Sequence, residues 1–359
     1  MSKVKYGLIG FGGIAENRVA KEGYACDKSR FAPLTKAELV CATDINPARK
    51  EAAEALGLKW HDSIDALLAD KEIQAVYIAT NNASHAALAI KAMEAGKHVI
   101  SEKPMSTNSA DAEVLVKMAA EKNLSLAVDH MMVYNAWNVE ANKLLAAGKL
   151  GKVNDSCFHM EFAYGYDPAE AASWRCSKIE EMGGPIGDVA SHCFYLSEYI
   201  FGKKITKLAA CYLPKIVDMV AEDGAYIKFF FEDGTQSSAK VAFSELRGGL
   251  GGTLSNLGYE IYGDAAALRG YGTMFQLSGH DGEPIKIRLE LDKFDGTTEK
   301  IEPAAGDIKN IYQCLIEHHA ESVLTGKHLN AEDALHNILL CEAAHKSARE
   351  GGKIVEVAR

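Results

Sequence analysis

Gly7-Leu8-Ile9-Gly10-Phe11-Gly12-Gly13-Ile14-Ala15 is an apolar run that breaks at a glycine and continues as the start of an amphipathic segment. Lys3–Ile9 reads as a short buried strand, and the segment from Gly13 reads as a helix. Within this Gly-x-Gly-x-x-Ala pattern, Gly10 permits a tight turn and Gly12 lets the backbone approach a pyrophosphate. The small Ala15 lets helix and strand pack closely. The free amides at the helix start then face phosphate charge. Gly10, Phe11, Gly12, Gly13 and Ile14 are therefore the expected phosphate-side contacts of a dinucleotide. Glycine-rich turns are frequent, so the pattern gains its meaning from the rhythm that follows it.

That rhythm alternates. Ala37–Thr43 reads as a second strand, Pro47–Leu56 as a helix with proline in its first turn, and Ser63–Ala69 as another short helix. Ala75–Ala79, Lys97–Ser101 and Leu124–Val128 are further strands, separated by helices over Ala83–Ala95 and Ser109–Lys122. Continuous apolar strands linked by helices imply a parallel sheet covered on both faces. Residues 1–130 are thus expected to form a doubly wound α/β Rossmann domain.

Beyond about Tyr134 the pattern changes. A helix over Ala136–Ala147 stops at Gly148, Val153–Phe162 looks like a strand, and a helix runs from about Ile186 to Phe201. From Lys204 to about Ile301 come several strand-like runs, including Ala225–Phe231, Gln236–Phe243, Tyr259–Tyr262 and Ile285–Leu291. Turn signals at Glu232-Asp233-Gly234 and Asp281-Gly282 fall between them, so antiparallel pairing is expected. Gly248–Gly252 reads as a loop. Helices over Asp307–Leu324 and Ala331–Glu350 close the chain. Residues 131–359 are read as a second, α+β domain with an open, mainly antiparallel sheet.

Bulk composition narrows the function. Over 359 residues, 39 basic side chains stand against 49 acidic ones for a net charge of −10, which disfavours a nucleic-acid partner. A small neutral substrate fits this balance better than a polyanion. No apolar stretch approaches the roughly 18–20 residues of a membrane span, and the N-terminus enters a strand without a signal-like segment. The eight cysteines contain no Cys-x-x-Cys pair, which points to buried thiols in the reducing cytoplasm. The twelve histidines show no metal-ligand spacing, so no metal is expected.

Asp44 ends the second strand, where a carboxylate can accept hydrogen bonds from both ribose hydroxyls and repel a 2′-phosphate. NAD is favoured over NADP on that ground, and no arginine directly follows to hold a phosphate. Asp44 lies further from the glycines than the usual ~20 residues. The extra length falls in Gly23–Thr35, read as an inserted surface loop. A competing assignment makes Asp44 the N-cap of the helix after Pro47.

Three further segments carry a family resemblance: Ala79-Thr80-Asn81-Asn82-Ala83-Ser84-His85, Gly96-Lys97-His98-Val99-Ile100-Ser101-Glu102-Lys103-Pro104, and Gly183-Gly184-Pro185-Ile186-Gly187-Asp188-Val189-Ala190-Ser191-His192. Together with the glycine turn, Trp174-Arg175, Tyr259–Gly263 and the closing Ala343–Ala348, they resemble the glucose–fructose oxidoreductase/inositol dehydrogenase/MocA (Gfo/Idh/MocA) family. The resemblance implies a catalytic triad of Lys103, Asp188 and His192 in a cleft between the domains. It places Thr80, Asn81, Asn82, His85, Glu102 and Lys103 along the cofactor, and it implies a homodimer or homotetramer formed through the open sheet.

The chemistry accounts for these residue types. Removing the hydroxyl proton as hydride leaves carbon suits a histidine, whose pKa lies near working pH, and His192 is that candidate. Asp188, four residues earlier, shares its helix face and can orient the ring, although such a pair is often only a surface hydrogen bond. Lys103, at the carboxyl end of a parallel strand, can donate to the substrate oxygen. Trp174 and Arg175 are read as substrate lining, with core packing and a surface ion pair as their alternatives. Tyr164, Tyr166 and His130 are within possible reach. Met132-Val133 stand where many relatives carry a basic pair, which implies a substrate without a carboxylate or phosphate at that point. The expected reaction is NAD-dependent oxidation or reduction of a secondary hydroxyl or keto group of a neutral sugar, glycoside or cyclitol. The rivals are an NAD-dependent glycosidase or lyase working through transient oxidation, and a non-catalytic NAD sensor.

Overall fold

A computed structural model describes residues 3–247, 249–251, 253–274 and 286–357. Gly248 and Gly252 of the expected loop, the Asp281-Gly282 turn and Ile285 lie outside the described residues. The chain divides into two compact units, one built from residues 3–131 and 309–335, the other from 132–274, 286–308 and 336–357.

The first unit holds β1 (Val4–Ile9), β2 (Ala37–Thr43), β3 (Lys59–Trp60), β4 (Ala75–Ile78), β5 (His98–Ser101) and β6 (Leu126–Val128), in the order β3-β2-β1-β4-β5-β6. All neighbouring pairs are parallel. The reversal of strand order beside β1 is the switch point at which such sheets open to ligands. Only β3, a two-residue edge strand, escaped the sequence reading; it is too short to show periodicity. Helices Ser109–Lys122 and Ile64–Ala69 begin where Asn108 and Ser63 accept backbone N–H bonds from Asp111 and Ala66. The helix after the glycine turn, Ala15–Gly23, is wound as a π-helix, a form that recurs at functional sites.

Two expectations need correction. The helix Ile311–Thr325, read as part of the second domain, belongs to the first unit and packs on β1, β2, β5 and the helix Ala15–Gly23. Its buried Ile311, Leu315, Ile316 and Ala320 cover the sheet, and Tyr6 on β1 shares a 2.7 Å hydrogen bond with Nδ1 of His319. Nor is Gly23–Thr35 simply a surface loop: Tyr24, Ala25, Phe31 and Leu34 are buried. The Glu317 carboxylate accepts from the backbone N–H groups of Thr35 and Lys36 and ties the segment to that same helix.

The second unit holds a nine-stranded sheet: β7 (Val153–Glu161), β8 (Ile205–Tyr212), β9 (Gly224–Phe231), β10 (Gln236–Ala242), β11 (Leu257–Gly263), β12 (Ala266–Tyr271), β13 (Arg288–Lys293), β14 (Thr298–Ile301) and β15 (Val355–Glu356). The order is β14-β13-β12-β11-β7-β10-β9-β8-β15. Pairing is antiparallel except between β7 and β10, which run parallel. On the face away from the helices, His159 lies between Glu161 (3.3 Å) and Glu260 (3.2 Å). Burial alone would lower its pKa, but hydrogen bonds with Cys157 and the two carboxylates raise it to about 12.

On the covered face lies the helix Ser191–Phe201, preceded without a break by the π-wound Pro185–Ala190. Phe194 packs edge-on against Phe229 (5.8 Å) and Phe201 stacks on Phe231 (4.6 Å). The entry to this helix turns at Gly184, whose φ of +80° suits glycine. A Cβ there would meet the Glu222 carboxylate at 2.7 Å. Glu222 Oε1 in turn accepts the Ile186 N–H at 2.9 Å. Burial of this carboxyl pushes its pKa up to about 7. Among the described residues, no helix is long and apolar enough to cross a membrane.

Phe229→Ala is expected to cost about 3–5 kcal/mol by leaving a cavity beneath the helix Ser191–Phe201, read as a lower denaturation midpoint. Because the folded protein holds the Glu222 proton more tightly than the unfolded chain does, the stability it contributes is full below about pH 4.5 and is lost as pH rises toward 7. Glu222→Gln cannot ionise. Its melting temperature relative to the parent should therefore climb between pH 5 and pH 8, and a flat difference would show that this carboxyl does not titrate in that window.

Candidate active site

In the first unit the site residues follow strand ends. Gly10 leaves β1 at a φ of +90°, and a Cβ on it would lie 2.6 Å from the Ala79 carbonyl oxygen after β4. A Cβ at Gly12 or Gly13 would meet nothing within 4 Å, so the turn presents bare backbone to open space. Together with the start of Ala15–Gly23, this cradle fits a pyrophosphate. Asp44, after β2, accepts the Phe11 N–H at 2.6 Å and the Asn46 N–H at 2.7 Å. The cap of the following helix is Asn46, whose side chain accepts from Ala48. Asp44 is therefore the brace of the glycine turn. Arg49, which the sequence reading passed over, donates from Nε to the Phe11 carbonyl at 2.6 Å and pairs with Glu16. Its charge is thereby already engaged.

After β4, Thr80 and Ser84 share a hydroxyl bond of 2.7 Å, Asn81 is exposed and Asn82 is buried. His85 is buried. Its Nδ1 lies 2.8 Å from the Pro104 carbonyl and its Nε2 lies 3.3 Å from that of Thr80, so one ring links the segments after β4 and β5. Burial lowers its pKa, and the neutral ring's single N–H donates to one of these two carbonyls. Lys103, half-buried, follows β5 directly. Beside it sits an acid pair that residue spacing did not reveal, Asp129 buried and Glu102 half-buried. Tyr77 on β4 donates to Asp129 Oδ2 at 2.8 Å and lies 3.2 Å from Glu102 Oε1. Burial raises both carboxyl pKa values, most strongly that of Asp129, which lies beside the Glu102 charge. The only signal was a polar residue ending a wholly apolar strand.

The second unit holds Asp188 and His192 on one buried helical run. Arg175 donates from Nε to Asp188 Oδ2 at 2.8 Å and from Nη1 to Glu170 at 2.9 Å. It lies 4.9 Å over the Tyr164 ring, which stacks on Phe162 at 4.6 Å. The guanidinium expected to line the substrate is thus bound to two carboxylates. Trp174, half-buried, lies beneath the same guanidinium at 5.4 Å. His192 Nδ1 lies 2.7 Å from the Tyr195 hydroxyl, a contact at i,i+3 on the helix that the sequence reading did not weigh. Tyr166 is exposed, Met132 is buried, and His130 lies in the first unit near Asp333.

Known proteins match this arrangement over both halves. Residues 4–130 match the oxidoreductase family with an NAD-binding Rossmann fold, and residues 142–357 match that family's C-terminal alpha/beta domain. The chain is 27% identical over 272 residues to dTDP-3,4-didehydro-2,6-dideoxy-alpha-D-glucose 3-reductase of Streptomyces violaceoruber, covering 76% of this chain and 74% of that one. It is 26% identical over 299 residues to 1,5-anhydro-D-fructose reductase of Ensifer adhaerens, covering 80% and 81%. Its fold is shared with the aldose-aldose oxidoreductase of Caulobacter crescentus, crystallised with glycerol, at a TM-score of 0.84 and 22% identity over 99% of this chain and 100% of that one. Matched in both parts, the chain belongs to the Gfo/Idh/MocA oxidoreductase family, with an NAD-binding Rossmann domain and a C-terminal alpha/beta domain.

Proposed function

We propose that this protein reversibly oxidises a secondary hydroxyl of a neutral sugar, glycoside or cyclitol with NAD. The observation that carries the reading is the presence, on an NAD-binding chain, of a strand-end lysine and a buried histidine whose Nδ1 is already engaged. The names of the relatives, both reductases of sugars, support a sugar as the substrate.

When bound, NAD supplies the hydride acceptor. Gly10, Phe11, Gly12, Gly13 and Ile14 would hold its pyrophosphate through backbone amides, Asp44 its ribose, and the segments Thr80–Asn82 and Glu102–Lys103 its nicotinamide half. His192 takes the hydroxyl proton at Nε2 while the carbinol carbon gives up hydride. The Lys103 ammonium donates to the same oxygen and stabilises the developing alkoxide. Asp188, held by Arg175, keeps negative charge near the imidazolium that forms, and Trp174 offers a flat apolar surface to a sugar ring. Neutral substrates are favoured because Arg175 is neutralised by Asp188 and Glu170, and because Met132-Val133 carry no charge.

Incubation with NAD and a panel of neutral glycosides, following NADH absorbance and sugar release together, tests the reading. Turnover should produce NADH, and Lys103→Met or His192→Ala should each lower kcat by roughly 10²–10⁴-fold. Sugar release without NADH would replace dehydrogenation with oxidation–elimination, and unchanged turnover in both variants would leave only NAD binding. Gly10→Ala should weaken NAD more than about tenfold by calorimetry through its clash with Ala79, whereas Lys103→Met should leave folding intact.

A further inference from the structure

We propose that Glu16 is a cofactor-selecting residue: by holding Arg49 it denies a guanidinium to the 2′-phosphate of NADP and so reinforces the preference for NAD. The inference rests on the reading of Asp44 as the residue that takes the ribose. Phe11, inside the glycine turn, connects the acid and the base. Its N–H donates to Asp44 Oδ2 at 2.6 Å, and its carbonyl accepts from Arg49 Nε at 2.6 Å. The Arg49 guanidinium also lies 5.8 Å over the Phe11 ring. Ile45, Asn46, Pro47 and Ala48, which follow Asp44, carry no charge. Arg49 is therefore the first cation after β2, bound to the same turn residue as the carboxylate that is read as holding the ribose.

Glu16 keeps that cation occupied. It is half-buried on the π-wound helix Ala15–Gly23, where backbone bonds run between residues five apart. Lys21, five residues on, donates from Nζ to Glu16 Oε1 at 2.6 Å, while Oε2 pairs with Arg49. Lys21 also donates to Asn17 at 3.0 Å. The Lys21 hydrogen bond, with that of Arg49, outweighs burial and lowers the Glu16 pKa, so the carboxylate is ionised at neutral pH. Asp44, Glu16, Lys21 and Arg49 together carry two charges of each sign and sum to zero. A 2′-phosphate would add about −1.5 to −2 charge at pH 7. To gain a charge-assisted bond it has to draw Arg49 from Glu16, leave that half-buried carboxylate short of a partner, and lie beside the Asp44 charge. A free 2′-hydroxyl requires none of this, because it donates to Asp44 and leaves the Arg49–Glu16 pair whole. Asp44 repels the phosphate, and Glu16 withholds the countercharge that would offset the repulsion.

The test measures NADH and NADPH affinity of the full-length protein by cofactor fluorescence, with no substrate present. The parent should prefer NADH. Glu16→Gln keeps the shape of the side chain and removes its charge. It should tighten NADPH about tenfold, the scale of one hydrogen bond to a charged group, and leave NADH within about twofold. Arg49→Gln should keep the parental ratio of the two affinities, because Arg49 is withheld there already, and adding it to Glu16→Gln should abolish the gain. An unchanged ratio in Glu16→Gln overturns the proposal, as does a gain that persists in the double variant. Selective loss of NADPH affinity in Arg49→Gln alone also overturns it, and that arm stands even if Glu16→Gln fails to fold. A parent that binds NADPH as tightly as NADH overturns the NAD preference read from Asp44, and the present inference with it. A preference for NADH that Glu16→Gln does not shift sinks only the present inference.

Discussion

Parallel pairing of β1 with both β2 and β4 is the constraint from which the first unit follows. In a parallel sheet all carboxyl ends lie on one edge, so each residue that ends a strand is delivered to the same rim. Gly10 after β1, Asp44 after β2, Thr80 after β4, Lys103 after β5 and Asp129 after β6 share that rim for this reason alone. The approach of strands beside Gly10 is close enough that the Ala79 carbonyl leaves no room for a side chain. The glycine is thus demanded by two features at once, its positive φ and its neighbour.

Around this frame, several polar groups drawn away from water find partners, which offsets their desolvation. Asp44 receives two backbone N–H groups, His85 spans two carbonyls, and Tyr77 serves two carboxyl groups. In the second unit Arg175 receives Asp188 and Glu170 and lies over two aromatic faces. These ties place the functional groups and also limit them. An arginine bound to two acids presents little charge to a substrate.

Much of this was legible before any coordinates. The strand–glycine–helix opening, the alternating rhythm to residue 130 and the helix Ser109–Lys122 follow from periodicity and capping, which are local properties. Lys103, Asp188 and His192 stood out by type and position. What failed was of another kind. The short strand β3 and the parallel seam between β7 and β10 carry no local mark. Helix Ile311–Thr325 joins the first unit because its apolar face fits that sheet, although its neighbours in sequence lie in the second.

By itself the sequence determined the Rossmann architecture, because backbone preference and hydrophobic period act over a few residues, and its motifs carried the resemblance to the family and the chemical types of the candidate residues. The tertiary structure decided pairing: Asp188 with Arg175, His192 with Tyr195, Glu222 at the Gly184 turn, and Tyr77 between Glu102 and Asp129. Each of these depends on the direction a side chain takes once its backbone is packed. Where several polar groups lie within reach of one another, spacing along the chain does not select among them, and the close-packed interior does.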